Sequence, residues 1–254
     1  MKASRLMNRY LDSKKTIATI NKLKQRINER FTDSGLYKVA VELEDIAKET
    51  DEKLKWIAKP NYLLRITLAF IIGLILLVLL YSISIMNISL KIISLAELIQ
   101  VIEAVLNDII LISAAIFFLL SLEQRIKRTR ALAALDELRA LAHVIDMHQL
   151  TKDPSRAFNY RRTKSSPKET LTSYELTRYL DYCSEMLSLT SKVAALFAQH
   201  FNDALVLSTV NDLENLTTGL SRKIWQKLMI IHRLQDDVVL SETLTPEKDG
   251  QNPS

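Results

Sequence analysis

Two histidine–aspartate pairs are the residues whose types and spacing best suit metal chemistry. His143 and Asp146 are three positions apart, and His200 and Asp203 repeat that spacing, so each pair shares one face of a helix. Imidazole and carboxylate groups from two helices can ligate a divalent metal. Diiron bundles, however, use Glu-x-x-His pairs, which this sequence lacks. Surface or helix-capping histidines are the simpler interpretation, and no cofactor is expected.

A second set of polar residues lies where the chain is otherwise apolar. Glu103 and Asn107 share one helix face, and Asp108 lies on the neighbouring face. Ionisable groups at membrane depth are costly and usually face water or a partner. One interpretation is a ring of acids along a cation path in an oligomer. The simpler interpretation is an amphipathic stretch whose acidic side chains are hydrated at the outer membrane surface.

The elements that position these groups are two apolar segments. Residues 66–90 carry no charge, which exceeds the roughly 20 residues that a helix needs to cross a bilayer. The uncharged stretch 109–122 is shorter, so a second span must extend back to about residue 101 and include Asp108. Basic residues flank the pair on one side only, whereas Lys91 alone lies in the connection. The positive-inside rule therefore predicts two spans with both termini in the cytoplasm.

The flanking basic residues could also contact anionic lipid, at about 1 kcal/mol for each residue near the surface. Setting the topology is already a sufficient role for them. The residues in question are Lys53, Lys55, Lys59, Arg125, Lys127, Arg128 and Arg130.

Outside the apolar segments, the chain shows apolar residues at alternating spacings of four and three, which is typical of coiled-coil helices. Thr32-Asp33-Ser34-Gly35 separates two such helices near the N-terminus, and Thr172 with Glu175 forms a capping box for a third. A turn near Asn202-Asp203 precedes a fourth. Three of these apolar seams are Leu36, Ala40, Leu43, Ala47, Thr50, Leu54 and Ile57; Leu176, Leu180, Cys183, Leu187, Thr190, Ala194, Phe197 and Phe201; and Val206, Val210, Leu213, Thr217, Leu220, Ile224, Leu228, Ile231 and Val238.

These patterns predict an all-α protein, with a two-helix transmembrane hairpin, a cytoplasmic coiled-coil hairpin and a C-terminal helical bundle. Few turn-forming residues interrupt the chain, which has four glycines and five prolines. The predicted parts are a helical hairpin (1–59), a transmembrane hairpin (60–122, spans at about 63–86 and 101–122), a helix continuing the second span (123–150), a basic linker (151–170), a helical pair (171–240) and a disordered tail (241–254).

Two strings resemble segments of uncharacterised bacterial two-span helical membrane proteins: HVIDMHQLTKDP at 143–154 and LTTGLSRKIWQKL at 216–228. This resemblance implies an integral protein of the bacterial inner membrane and attaches no activity. The order of coiled coil, span, short acidic connection and span also resembles the mitochondrial calcium uniporter. The chain lacks the Asp-Ile-Met-Glu-Pro string of that family, so no residue role follows from this resemblance.

Three functions follow from these observations. The first is a membrane-anchored helical scaffold or signalling adaptor that acts through self-association or a protein partner. The second is a small oligomeric cation channel or transporter, and the third a metal-binding helical-bundle enzyme. No phosphate-binding glycine loop, nucleophile elbow or zinc-binding cysteine cluster is present, which favours a protein that is not an enzyme. The lipid bilayer is the expected partner, and nucleic acid is not.

Overall fold

The computed structural model describes residues 10–59, 62–85, 95–154 and 171–243, and within these ranges it contains six α-helices and no strand. The predicted all-α class is therefore confirmed. The helices are α1 (Ser13–Arg30), α2 (Gly35–Ala58), α3 (Tyr62–Ile85), α4 (Leu95–Leu150), α5 (Ser173–His200) and α6 (Ala204–Thr243).

Polar side chains at the helix starts explain where the helices begin. The Asp12 carboxylate accepts from the backbone N–H groups of Lys14 and Lys15, at 2.9 and 3.4 Å, and caps α1. Thr172 and Glu175 form the predicted capping box of α5. The predicted break between α1 and α2 is also confirmed, and there Asp33 adopts a left-handed φ of 51°, which aspartate tolerates better than most residues.

The chain divides into two compact units. The helical bundle comprises Met1–Trp56 and Ala131–Ser254, and the apolar unit is Ile57–Arg130. The bundle owes its core to the predicted apolar seams: their residues on α2, α5 and α6 are buried as far as Ile231. The last turns of α4 add Leu135, Leu138, Ala142 and Ile145. Because these helices cover one another's apolar faces, the seams are satisfied within one chain.

The first helix departs from the prediction at its start. The spacing of Tyr10, Ile17, Ile20, Leu23 and Ile27 predicts that they share one face of this helix, yet Tyr10 is 66% exposed. Since α1 begins at Ser13, Tyr10 precedes the helix and does not follow its periodicity.

Among the residues described, one helical stretch is long and apolar enough to cross a membrane: Val105–Leu150, which begins in the apolar unit. None of the residues in its most apolar window is buried. The predicted two-span hairpin is not supported by this criterion, because only one described helix meets it. The connection at 86–94, most of the basic linker and the tail from residue 244 onward lie outside the described residues.

Candidate functional site

The apolar unit presents large hydrophobic side chains to its surroundings. On α3, Ile66 and Phe70 are 67% and 70% exposed, and on α4, Ile110 and Phe117 are 64% and 75% exposed. Soluble monomers seldom expose contiguous apolar patches of more than a few hundred Å². Such a surface suits contact with lipid or with another apolar surface.

The predicted ion-path residues lie on the first turns of α4 and are exposed. Glu103 and Asn107 line an open concavity together with Ile99 and Leu106, which confirms that the two polar groups share a face. Asp108 is exposed beside them. The described residues thus offer polar groups on the outside of α4, where only a second helix or a second chain could complete a path.

The basic residues near the ends of the apolar unit are not all available to lipid. Lys127 is only 8% exposed. Its ammonium lies 2.9 Å from a Glu123 carboxylate oxygen and donates to the Lys59 carbonyl oxygen at 3.1 Å. Lys127 therefore holds the end of the segment at Lys59 against α4. Lys59, Arg125 and Arg130 are exposed, and Arg128 is half-buried.

The basic residues on α2 also have carboxylate partners. Lys53 bridges Glu49 and Glu137, with Nζ–Oε2 distances of 3.2 and 3.1 Å. Lys55 lies 2.5 Å from Asp51. The contact of Lys53 with Glu137 ties α2 to α4 within the bundle, so this lysine has a structural role in addition to any contact with lipid.

Three of the four residues considered for metal binding make local hydrogen bonds. His200 Nδ1 donates to the Leu196 carbonyl oxygen at 2.8 Å, and the Asp203 carboxylate accepts from the N–H groups of Leu205 and Val206 as the cap of α6. Asp146 accepts from the side-chain amide of Gln149 at 2.6 Å, and His143 is exposed. Within the described ranges, no group of three or more His, Cys, Asp or Glu side chains is arranged to hold a metal ion.

A polar cluster that the sequence did not reveal closes the C-terminal end of α4. Lys227 of α6 donates to the carbonyl oxygens of Gln149 and Lys152, at 2.7 and 3.2 Å. Gln149 lies in the last turn of α4 and Lys152 just beyond it, so the cation meets carbonyl oxygens at a helix C-terminus, where the helix dipole also favours it. Burial lowers the pKa of Lys227, and nearby Asp153 and Asp146 oppose that shift. With its donors directed at carbonyls, Lys227 acts as a cap that fixes α6 to α4.

His148 occupies the other side of this cluster. Its Nδ1 lies 3.4 Å from the Tyr179 hydroxyl, and the Lys152 ammonium sits 4.8 Å from the centre of the Tyr179 ring. Burial and the charge of Lys152 lower the pKa of His148, whereas burial raises the pKa of Tyr179. Both shifts favour the neutral forms of these two side chains.

Gly35 makes this arrangement possible. A Cβ atom added at Gly35 would lie 2.6 Å from His148 Cε1, closer than any ordinary contact. We expect Gly35→Ala to lower the free energy of unfolding by about 1 kcal/mol, because the imidazole must leave its place against Tyr179. With His148→Ala as background, the same change should instead stabilise by about 0.5 kcal/mol through backbone entropy. Urea unfolding of the four proteins measures both effects, and the same sign in both backgrounds would contradict the proposed contact.

Sequence spacing alone does not connect His148, Tyr179 and Lys227, because they come from three helices. A partial signal exists in Lys227, a charged residue at the edge of the apolar stripe of α6, next to Leu228. Such a residue needs a polar partner when it is half-buried.

Comparison with known proteins adds no family: no protein-family model, curated protein or solved structure matches the chain. The resemblance of residues 143–154 and 216–228 to bacterial membrane proteins therefore stays a prediction.

Proposed function

We propose that this protein is a membrane-anchored helical scaffold. The apolar unit forms a two-span hairpin from α3 and the first half of α4, and the bundle lies in the cytoplasm of a bacterial cell, where it binds protein. The observation that supports this proposal best is the exposure of large apolar side chains around both helices of the apolar unit, such as Phe70 and Phe117. At about 25 cal/mol for each Å² removed from water, a hydrocarbon environment would stabilise these helices strongly.

The charges at the ends of the hairpin support the proposed orientation. Lys59 precedes α3, and Arg125, Arg128 and Arg130 follow the apolar part of α4, whereas the short connection between the helices has Lys91 alone. This asymmetry places the basic ends in the cytoplasm by the positive-inside rule. The bundle would then lie on the cytoplasmic side with both termini.

Support for a binding role comes from the outside of the bundle. Its core is filled by its own helices, yet Met147, Trp225 and Met229 are 64%, 62% and 50% exposed. Trp and Met are enriched at the buried centres of protein interfaces. These side chains give the bundle apolar surface for a partner after its own folding needs are met.

The two-span hairpin is tested by labelling introduced cysteines from each side of the membrane. In a Cys183→Ala background, a cysteine at Ser89 should react with an impermeant maleimide only from outside the cell, and one at Ser208 only from inside. Intact spheroplasts and inverted membrane vesicles provide the two sides, and lysed vesicles give the total reactivity of each position. Labelling of both positions from one side, or release of the chain by alkaline carbonate washing, would reject the two-span anchor.

A further inference from the structure

An acidic groove runs between α2 and α4 on the outside of the bundle. Val41 and Ile46 of α2 and Val144 of α4 contribute apolar side chains to its lining, and its volume is about 570 Å³. Four carboxylates and one lysine also line it. The groove thus combines an apolar surface with a negative rim, which suits an amphipathic helix with basic residues.

Three of those four carboxylates have a lysine partner within the bundle. Lys53 bridges Glu49 and Glu137, so these two carboxylates and the lysine together keep one net negative charge. Glu42 and Asp45 are both exposed on the α2 wall, and the Asp45 carboxylate lies 3.7 Å from the Lys48 ammonium. Lys38 on the same wall offsets part of the charge, and Glu42 and Asp45 are the two groove carboxylates that Lys53 does not bridge.

The exposed face of α6 has the opposite character. Between Glu214 and Asp236 this helix contains no acidic residue. Arg222 and Arg233 are exposed and lie on the same face as Met229, and Trp225 lies one turn before Met229. We call the surface formed by Arg222, Trp225, Met229 and Arg233 the basic face of α6.

We propose that the acidic groove of one copy receives the basic face of α6 of a second copy. Opposite charges on the two surfaces favour this pairing, and each surface also brings exposed apolar groups that the contact would bury. The helix α1 is also rich in Lys and Arg, but it exposes no large hydrophobic side chain and could not fill the groove. Only α6 among the described helices of the bundle combines exposed basic residues with an exposed tryptophan.

This contact joins two different surfaces, so one copy keeps its basic face and the other keeps its groove for further neighbours. Such head-to-tail contacts form a ring when the rotation between copies closes, and an open array when it does not. The inference rests on the proposed scaffold function, because an anchor in a shared membrane confines the copies to one plane and raises their effective concentration.

The contact is tested by reversing charges on one surface at a time, in the full chain in native membranes. A cysteine pair at Ala140 of the groove and Gln226 of α6, in a Cys183→Ala background, should form intermolecular disulfides under mild oxidation and give a ladder of multimers. Glu42→Lys with Asp45→Lys, or Arg222→Glu with Arg233→Glu, should each reduce the ladder at least tenfold. The fourfold variant, in which both surfaces are reversed, should recover most of it.

A matched control reverses charges elsewhere. Lys22→Glu with Glu29→Lys on the exposed face of α1 should leave the ladder unchanged, and circular dichroism at 222 nm should show the same helix content in every variant. Three outcomes would overturn the pairing. The first is a ladder that survives charge reversal of either surface, and the second is a fourfold variant that does not crosslink. The third is a native chain that is monomeric at all concentrations. Membrane retention is read on the same samples, and the labelling pattern at Ser89 and Ser208 is read on variants without the cysteine pair; loss of either would reject the anchor and not the pairing.

Discussion

Glu44→Gln should lower the free energy of unfolding by about 2 kcal/mol at pH 7, because it leaves the cations around a buried carboxylate without their partner. The Glu44 residue is 4% exposed. Its carboxylate pairs with Lys24 of α1, accepts from the Asn21 amide at 3.0 Å and lies 2.8 Å from the Lys48 ammonium. These contacts join α1 to α2, so their loss should loosen the hairpin first.

The pH dependence of stability provides a second readout of the same site. Burial of Glu44 opposes its ionisation, but the hydrogen bonds from Lys24, Lys48 and Asn21 outweigh it and lower its pKa from 4.5 to about 2. Because the folded-state pKa is the lower one, this stabilisation is fully present above about pH 4.5 and is lost as the pH falls towards 2. The wild type should therefore lose about 2–3 kcal/mol over that interval through Glu44, and Glu44→Gln should lack this part of the loss.

Glu42 offers a matched control on the same helix, since it is exposed. Glu42→Gln should change the free energy of unfolding by less than about 0.5 kcal/mol. Urea unfolding of detergent-solubilised full chain, followed by circular dichroism at several pH values, measures all three proteins. Equal stabilities of the two glutamine variants would show that the Glu44 cluster does not hold the hairpin together.

The largest loss is expected from Tyr182→Ala, about 3–5 kcal/mol. Tyr182 is 2% exposed, and its ring packs edge-on against Phe31 with centroids 6.3 Å apart. The guanidinium carbons of Arg26 and Arg178 lie 5.2 and 5.0 Å from the ring centre. Removing the ring leaves a cavity and two cations without their aromatic partner.

Tyr174, also on α5, is the appropriate comparison for this prediction. It is 58% exposed and stacks on Arg30 alone among the described aromatic contacts, at 5.1 Å. Tyr174→Ala should therefore cost less than about 1 kcal/mol in the same urea experiment. A cost for Tyr182→Ala no greater than that of Tyr174→Ala would mean that α1 does not depend on this ring for its packing on α5.

Sequence periodicity predicted the helices of the bundle well because the spacing of apolar residues is a local property that tertiary packing here reinforces. Leu36, Leu43 and Leu54 are all at most 3% exposed, as their spacing of seven and eleven residues requires. The capping box at Thr172 was equally predictable, since both of its partners lie within one turn.

Contacts between distant helices were mostly beyond sequence reasoning. Arg26 meets Glu185 and His148 meets Gly35 only because several helices pack together, and no spacing rule connects residues so far apart in the chain. The Lys24–Glu44 pair, in contrast, could be predicted from the sequence. Both residues lie ten positions from Ser34, in the turn of an antiparallel hairpin, where positions equally distant from the turn face each other.

The reactivity of the single cysteine of the chain, Cys183, reports how often the bundle opens. Cys183 is fully buried, and burial raises the pKa of its thiol to about 12 in spite of nearby Lys152 and Lys227. A thiol in this state has almost no thiolate for reaction at neutral pH. Any modification of Cys183 in the native protein must then wait for α5 to separate from its neighbours, so the rate of alkylation reports how often the bundle opens, in cells as well as in the purified protein.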